Sequence, residues 1–172
     1  MEAMKISVIV PAFNEEKLIS STLASIRTAA AVFAARGWAW EIVVCDNNST
    51  DRTWELARAA GARVVFEPKN QIARARNAGA AVAAGQWLLF VDADSRPSPE
   101  LFTEMAGAME EGFWLGGGCT VRLDERHLLA DLCVAVWNGV SRLCRWAAGS
   151  FVLCEATAFG AIGGFNETLY AS

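Results

Sequence analysis

Short apolar runs alternate along the chain with longer segments in which apolar residues recur at helical spacing. Ile6-Ser7-Val8-Ile9-Val10 is closed by Pro11, Glu41-Ile42-Val43-Val44-Cys45 by a polar cluster opening at Asp46, and Trp87-Leu88-Leu89-Phe90-Val91 by Asp92. Runs of this length and character fit strands buried in a parallel sheet. Leu18, Ile19, Leu23, Ile26 and Ala30 form one helical stripe, which predicts a helix over about 15–36. The cluster from Asp46 to Asp51 turns the chain and caps a helix over 52–60, which Gly61 stops before a strand over 63–67. The alanine-rich segment 72–84 is a helix ended by Gly85, and Pro97 and Pro99 open another that runs through Met109. Beyond Gly112 the pattern predicts a strand over 113–121, where Gly116-Gly117-Gly118 permits close backbone approach, then a helix over 127–146 and a strand over 150–154. This alternation specifies an α/β fold, a mainly parallel central sheet flanked by helices. With no internal repeat and no linker, it is one domain.

Composition narrows the partners. Of 172 residues, 53% are apolar and 20% charged, as in an ordered globular protein. A net charge of -4 gives no electrostatic footprint for nucleic acid, so no nucleic-acid partner is expected. An acidic protein that binds an anion must neutralise it locally, with a metal ion or a few placed basic side chains. Cys45, Cys119, Cys133, Cys144 and Cys154 are odd in number, widely spaced and mostly set in apolar runs. With a lone His127 they complete no zinc site, which predicts reduced core thiols in a cytoplasmic protein. The first strand begins almost at once, which argues against a signal peptide, and no stretch reaches the roughly 18 uncharged apolar residues of a membrane span. The expected localisation is cytoplasmic, with room for peripheral contact at the inner face of the membrane.

Candidate chemistry sits where the strands end. In open α/β sheets, ligands bind outside the carboxyl ends of the strands. Three polar clusters fall there: Pro11-Ala12-Phe13-Asn14-Glu15-Glu16, Asp46 to Asp51, and Asp92-Ala93-Asp94. Asp51 fits an ordinary turn or cap residue. Acids converging on one edge repel each other unless a cation or hydrogen-bond donors sit among them. Alternation along an extended chain would put Asp92 and Asp94 on one side with a small residue between. Two such hard oxygen donors suit Mg2+ or Mn2+, with diphosphate oxygens and water completing the shell.

Val10-Pro11-Ala12-Phe13-Asn14-Glu15-Glu16, Val43-Val44-Cys45-Asp46-Asn47-Asn48-Ser49-Thr50-Asp51, Ala75-Arg76-Asn77-Ala78-Gly79 and Phe90-Val91-Asp92-Ala93-Asp94 follow one another in an order and spacing that resembles the family 2 glycosyltransferases, whose fold is GT-A, a Rossmann-like architecture. Gly149-Ser150 and Gly163-Gly164-Phe165-Asn166-Glu167 resemble that family's acceptor-side pattern, so the similarity spans nearly the whole chain. It implies a transferase moving a sugar from a UDP- or GDP-sugar donor to a hydroxyl on a glycan, lipid or small-molecule acceptor, with inversion and metal dependence. Pro11, Ala12, Phe13 and Glu15 would line the nucleotide pocket, and Asp46 would accept from a uracil or guanine imino N–H. Asp92 would reach the ribose or the metal, and Asp94 would be the metal ligand proper. Arg74, Arg76 and Asn77 are candidates for nucleotide or phosphate contacts. Residues 1–95 would form the nucleotide-binding half and 96–172 the start of the acceptor half.

The chain also departs from the family's pattern. The acidic pair that carries the catalytic base is expected after Ser172, which predicts a domain truncated at its C-terminus. Asn166 replaces the usual Asp, and Ser95 stands where a third acid often does. Truncation would leave apolar surface around Phe151, Phe159 and Phe165 partly uncovered and favour self-association. Two other enzyme classes share parts of the pattern. A haloacid-dehalogenase-type phosphatase shares the strand running into Asp92-Ala93-Asp94, but Ser95-Arg96-Pro97 follows and no lysine occurs after Lys69. A nucleotidyltransferase would carry a glycine-rich basic loop where Pro11 to Glu16 stands. A non-catalytic nucleotide-sugar-binding domain is the remaining alternative.

Overall fold

A computed structural model describes residues 4–120, 128–144 and 149–169. In chain order its elements are β1 (Lys5–Ala12), α1 (Ile19–Ala29), α2 (Ala31–Ala35), β2 (Ala39–Asp46), α3 (Thr53–Ala59), β3 (Arg63–Phe66), α4 (Ile72–Val82), β4 (Trp87–Val91), α5 (Pro99–Glu111), β5 (Gly116–Gly118), α6 (Leu128–Cys144), β6 (Phe151–Glu155) and α7 (Ala156–Ala161). The six strands form one sheet in the order β3-β2-β1-β4-β6-β5. β1 to β4 are mutually parallel where they pair, while β6 runs antiparallel to both β4 and β5. The order reverses between β1 and β4, so the crevice of an open α/β sheet opens beyond Ala12 and Val91.

Two apolar layers hold the sheet. On one face Val8, Val10, Leu89 and Val91 pack with Leu23, Ile26, Phe33 and Phe102 from the first, second and fifth helices. On the other, Ile9, Leu88 and Phe90 meet Ala80, Phe159 and Phe165. Gly79 on α4 lets this second layer close, since a Cβ there would lie 2.5 Å from Ile9 Cγ2. Ser98 caps α5 through its side chain with Pro99 at the first helical position, as the two prolines predict.

Several expectations need correction. The first helix starts at Ile19, and Ala30 divides it from α2. Residues 13–17 are drawn into a loop instead, because their backbone bonds to the loop after β2. Gly85 does not end α4: the helix stops at Ala83 in extended geometry, and a Cβ on Gly85 would lie 2.5 Å from the Ser7 backbone nitrogen. The strand expected over 113–121 contracts to the three glycines of β5, leaving Phe113, Trp114 and Leu115 exposed; Val121 lies outside the described residues, as do His127, Arg145 and Trp146 of the expected helix. The expected apolar patch is covered only in part. Phe151 is buried, while Phe159, tilted, and Phe165, edge-on, pack against Phe90 and stay half-buried. Exposed apolar surface also follows α6 at Leu132, Val136, Trp137, Val140 and Leu143. Cys133 and Cys144 on that helix are exposed and not core. No helix among the described residues is long and apolar enough to cross a membrane.

Candidate functional site at the strand edge

The loops after β1 and β2 are built as one unit. Asn14 and Asn48 adopt left-handed backbone geometry, with φ of 55° and 64°, a conformation Asn tolerates better than most residues. The Asn14 N–H donates to Ser49 Oγ and Thr50 N–H donates to Asn14 Oδ1, at 3.0 and 2.8 Å. Glu15 N–H donates to Thr53 Oγ1 and Glu16 N–H to Asp51 Oδ2, at 2.8 and 3.0 Å. Asp51 also accepts from the Thr53 N–H, so it has the capping role its position suggests. Pro11 and Ala12 belong to β1 and are buried in register with Cys45 and Asp46. Phe13 is 49% exposed at the mouth.

Asp46 ends β2 and is only 3% exposed, and its Oδ1 meets no hydrogen-bond donor. A buried acceptor without a donor is costly, and such atoms concentrate where a ligand completes them. Beside it, Asn47 donates to the carbonyls of Glu67 and Lys69, while its Oδ1 accepts the Gln71 N–H at 2.8 Å.

The Asp92-Ala93-Asp94 segment is a turn, not an extended strand. The Ser95 N–H donates to the Asp92 carbonyl at 3.0 Å, and Thr22 and Ser25 of α1 hold the loop by donating to Ala93 O and Pro97 O. Ala93 faces the core, Asp92 is half-buried and Asp94 is exposed. Burial pushes the Asp92 carboxyl above its ordinary range; Arg76 opposes that push and Asp94 adds to it. Glu15 is also pushed up, by burial first, then by Asp94 and Asp51. The loops after β1 and β4 therefore bring like charges within electrostatic reach of one another. Among the described residues no three side chains form a metal cage. Mg2+ and Mn2+ rarely use one, binding instead through one or two carboxylates plus substrate phosphate oxygens, a donor set that Asp94 and Asp92 match.

Arg74, Arg76 and Asn77 make their contacts within the protein. Arg76 is 3% exposed; its Nη2 donates to Asp92 Oδ1 at 2.9 Å and to the Gly149 carbonyl at 2.7 Å, and its guanidinium lies 5.1 Å from the Phe165 ring centre. Arg74 pairs with Glu67 and Glu167, and Asn77 binds Phe165 and Glu167. The sequence pattern missed Glu67 and Gln71, both buried, the first just after β3 and the second just before α4. The only signal for Gln71 is its place immediately before the alanine-rich helix. Glu155 of the acceptor half stands opposite Trp87 at the far end of β4. A cavity of about 650 Å³ lined by Met105, Trp114, Phe151 and Leu153 lies beside α5, and its walls contain none of the strand-edge acids.

Comparison with known proteins agrees with this architecture. A dolichol-phosphate mannosyltransferase of Pyrococcus furiosus is 32% identical over 114 residues, covering 63% of this chain and 31% of its own length. The crystal structure of S. aureus TarS 1-349 matches with a TM-score of 0.75 at 23% identity, over 98% of this chain and 52% of that one. Glucosyl-3-phosphoglycerate synthase from Mycobacterium tuberculosis, solved with Mn2+, UDP and glucosyl-3-phosphoglycerate, matches with a TM-score of 0.66 at 25% identity, over 90% of this chain and 57% of that one. The chain thus spans a third to somewhat over half the length of these three. The family described as Glycosyl transferase family 2 matches residues 7–127, about 70% of the chain, and the chain belongs to that family.

Proposed function

We propose that the chain binds a nucleoside-diphosphate sugar, UDP- or GDP-linked, across the carboxyl edge of β1, β2 and β4, for metal-dependent, inverting transfer to an acceptor hydroxyl. The observation that carries this is that Asp94 lies within electrostatic reach of both Glu15 and Asp92, on the sheet edge where the buried, donor-less Asp46 oxygen also sits, in register with Ala12. Uracil and guanine each offer an imino N–H to such an oxygen. Phe13, with Pro11 and Ala12 behind it, offers the apolar wall. Asp94, with the free side of Asp92, would hold Mg2+ or Mn2+, which when bound stabilises charge on the departing diphosphate. Arg76 keeps Asp92 aimed by occupying its other oxygen. Residues 1–95 serve as the donor half and 96–172 as the beginning of the acceptor half of a single domain. The acceptor is a glycan, lipid or small-molecule hydroxyl; a carboxylate other than Glu155 or Glu167 deprotonates it, since the first is at the wrong end and the second is ion-paired.

The contrast between neighbours tests the metal assignment. Asp94→Ala should weaken Mn2+-dependent UDP or GDP binding by about tenfold or more, while Ser95→Ala leaves it near wild type, since only the carboxylate is a hard anionic ligand. Equal affinities in the two variants would remove Asp94 from the site.

A further inference from the structure

One face of α4 and the residue before it reach a turn almost a hundred positions later. Gln71 Nε2 donates to the carbonyls of Glu167 and Leu169, at 2.7 and 2.9 Å. Arg74 Nη1 donates to Glu167 Oε2 at 2.7 Å, while its Nε holds Glu67 at 3.1 Å. Asn77 accepts from the Phe165 N–H at 2.9 Å and donates to the Phe165 carbonyl and Glu167 Oε1, at 3.0 and 2.9 Å. Positions 71, 74 and 77 are spaced by three, so they share a helix face. The turn they hold is shaped for the purpose. Gly163 and Gly164 have φ of 79° and 76°, and a Cβ on Gly164 would lie 2.7 Å from Asn77 Oδ1. Asn166 closes the turn by accepting from the Thr168 N–H at 2.8 Å, which an amide oxygen does as well as a carboxylate.

Two of these residues, Gln71 and Arg74, are also fastened to the donor side. The Gln71 N–H is bound by Asn47, the neighbour of Asp46, and Arg74 is bound by Glu67, whose N–H donates to the Asp46 carbonyl at 2.9 Å. Gln71 Oε1, like Asp46 Oδ1, is buried without a donor. A nucleotide that fills the space at Asp46 therefore acts on Asn47, Gln71 and Glu67, and these in turn hold the turn at 165–169.

We propose that Gln71, Arg74 and Asn77 are positioning residues, a clasp that couples occupancy of the nucleotide site to ordering of the acceptor-side turn. They do not read the nucleotide themselves. The inference rests on the donor site being where the preceding section puts it. Two tight switches of the same charge pair distinguish it from a merely structural role: Arg74→Glu and Glu167→Arg each break the clasp, and the double exchange restores an opposite-charge pair.

The test is amide hydrogen exchange of residues 163–169 in the wild type, both single variants and the double variant, each with and without UDP or GDP plus Mn2+. Calorimetry on the same samples reports nucleotide binding. Nucleotide should slow exchange in this turn by about fivefold or more in the wild type, the lower range of ordinary site–site coupling. The slowing should vanish in each single variant and return in the double. Nucleotide binding with no change of exchange in the wild-type turn, or with no return in the double variant, would overturn the clasp and leave the donor site standing. Failure of both nucleotides to bind the wild type would overturn the donor site and the clasp with it.

Discussion

Asp46 buries a carboxylate at the end of β2 with no protein donor for one of its oxygens, the feature on which the proposed nucleotide site rests. Its carboxylate sits in the sheet's edge with one oxygen unbonded, an arrangement that lowers stability until a donor arrives. Asp46→Asn removes the buried charge and keeps the shape. The variant should melt about 2–4 °C higher than wild type, the shift expected from about 1 kcal/mol in a chain of this size. It should also bind nucleotide about tenfold more weakly, because a charge-assisted hydrogen bond becomes a neutral one. A lower melting temperature with unchanged binding would show that Asp46 is structural. The places of Asp46 and Asp94 at the strand ends were legible from the apolar runs before them. The contacts that Arg74 and Asn77 make with Phe165 and Glu167 were not, because those partners are separated from them by about ninety positions, and no local pattern reports such a contact.

At the scale of elements, periodicity located the four parallel strands to within a residue or two; burial on both faces leaves a continuous apolar run in β1, β2 and β4, and Gly61 marks the start of the exposed edge strand β3. It failed where tertiary bonds override local preference. Residues 15–18 fell within the expected helix, yet the Glu15 and Glu16 N–H groups donate to Thr53 and Asp51, and the Asn14 N–H before them to Ser49. Asp92-Ala93-Asp94 was expected to be extended, and α1 bends it into a turn through Thr22 and Ser25. Gly85 was mistaken for a helix stop because the close approach of Ser7 is invisible in one dimension. That approach belongs to a small polar network inside the sheet end: Ser7 Oγ donates to Glu41 Oε1 at 2.7 Å and accepts the Gly85 N–H at 2.9 Å, and the Ala84 N–H donates to Glu41. Burial pushes the Glu41 carboxyl up, but the bonds from Ser7 and Ala84 and the charge of Lys5 outweigh it and hold the carboxyl below its ordinary 4.5. A depressed carboxyl contributes stability that is present above 4.5 and is lost as pH falls through the folded-state value. Glu41→Gln should therefore cost about 0.5–1 kcal/mol at pH 7, and the gap from wild type should narrow below pH 4.5 in thermal melts. A constant gap across that window would mean that the charge contributes nothing.

Across the whole molecule, the core is finished on both faces of the parallel strands and thin beyond β6, where α6 carries its apolar side chains in the open. Thiol chemistry maps this boundary. Burial pushes the Cys45 thiol up to about 12, with Glu67 and Asp46 adding to it, and pushes Cys154 up to about 11. Cys133 and Cys144 are exposed. Two thiols should therefore react quickly with iodoacetamide at pH 8, Cys133 and Cys144, with Cys45 and Cys154 protected until the chain unfolds, because the thiolate is the nucleophile. Fast labelling of Cys45 in the native protein would contradict the packing of β2. The composition suggested five core thiols, and it could not show that α6 lies outside the core.

The proposed site at the strand edge is metal-dependent and takes an imino-bearing nucleoside diphosphate. Calorimetric titration of the wild-type chain with UDP, GDP and ADP, each with and without Mn2+, tests it most directly. UDP or GDP should bind in the presence of Mn2+ and at least about tenfold more weakly without it. ADP should bind more weakly than the better of the two, since adenine has no imino N–H for Asp46. Binding that is indifferent to Mn2+, or an affinity for ADP equal to that for UDP and GDP, would contradict the account.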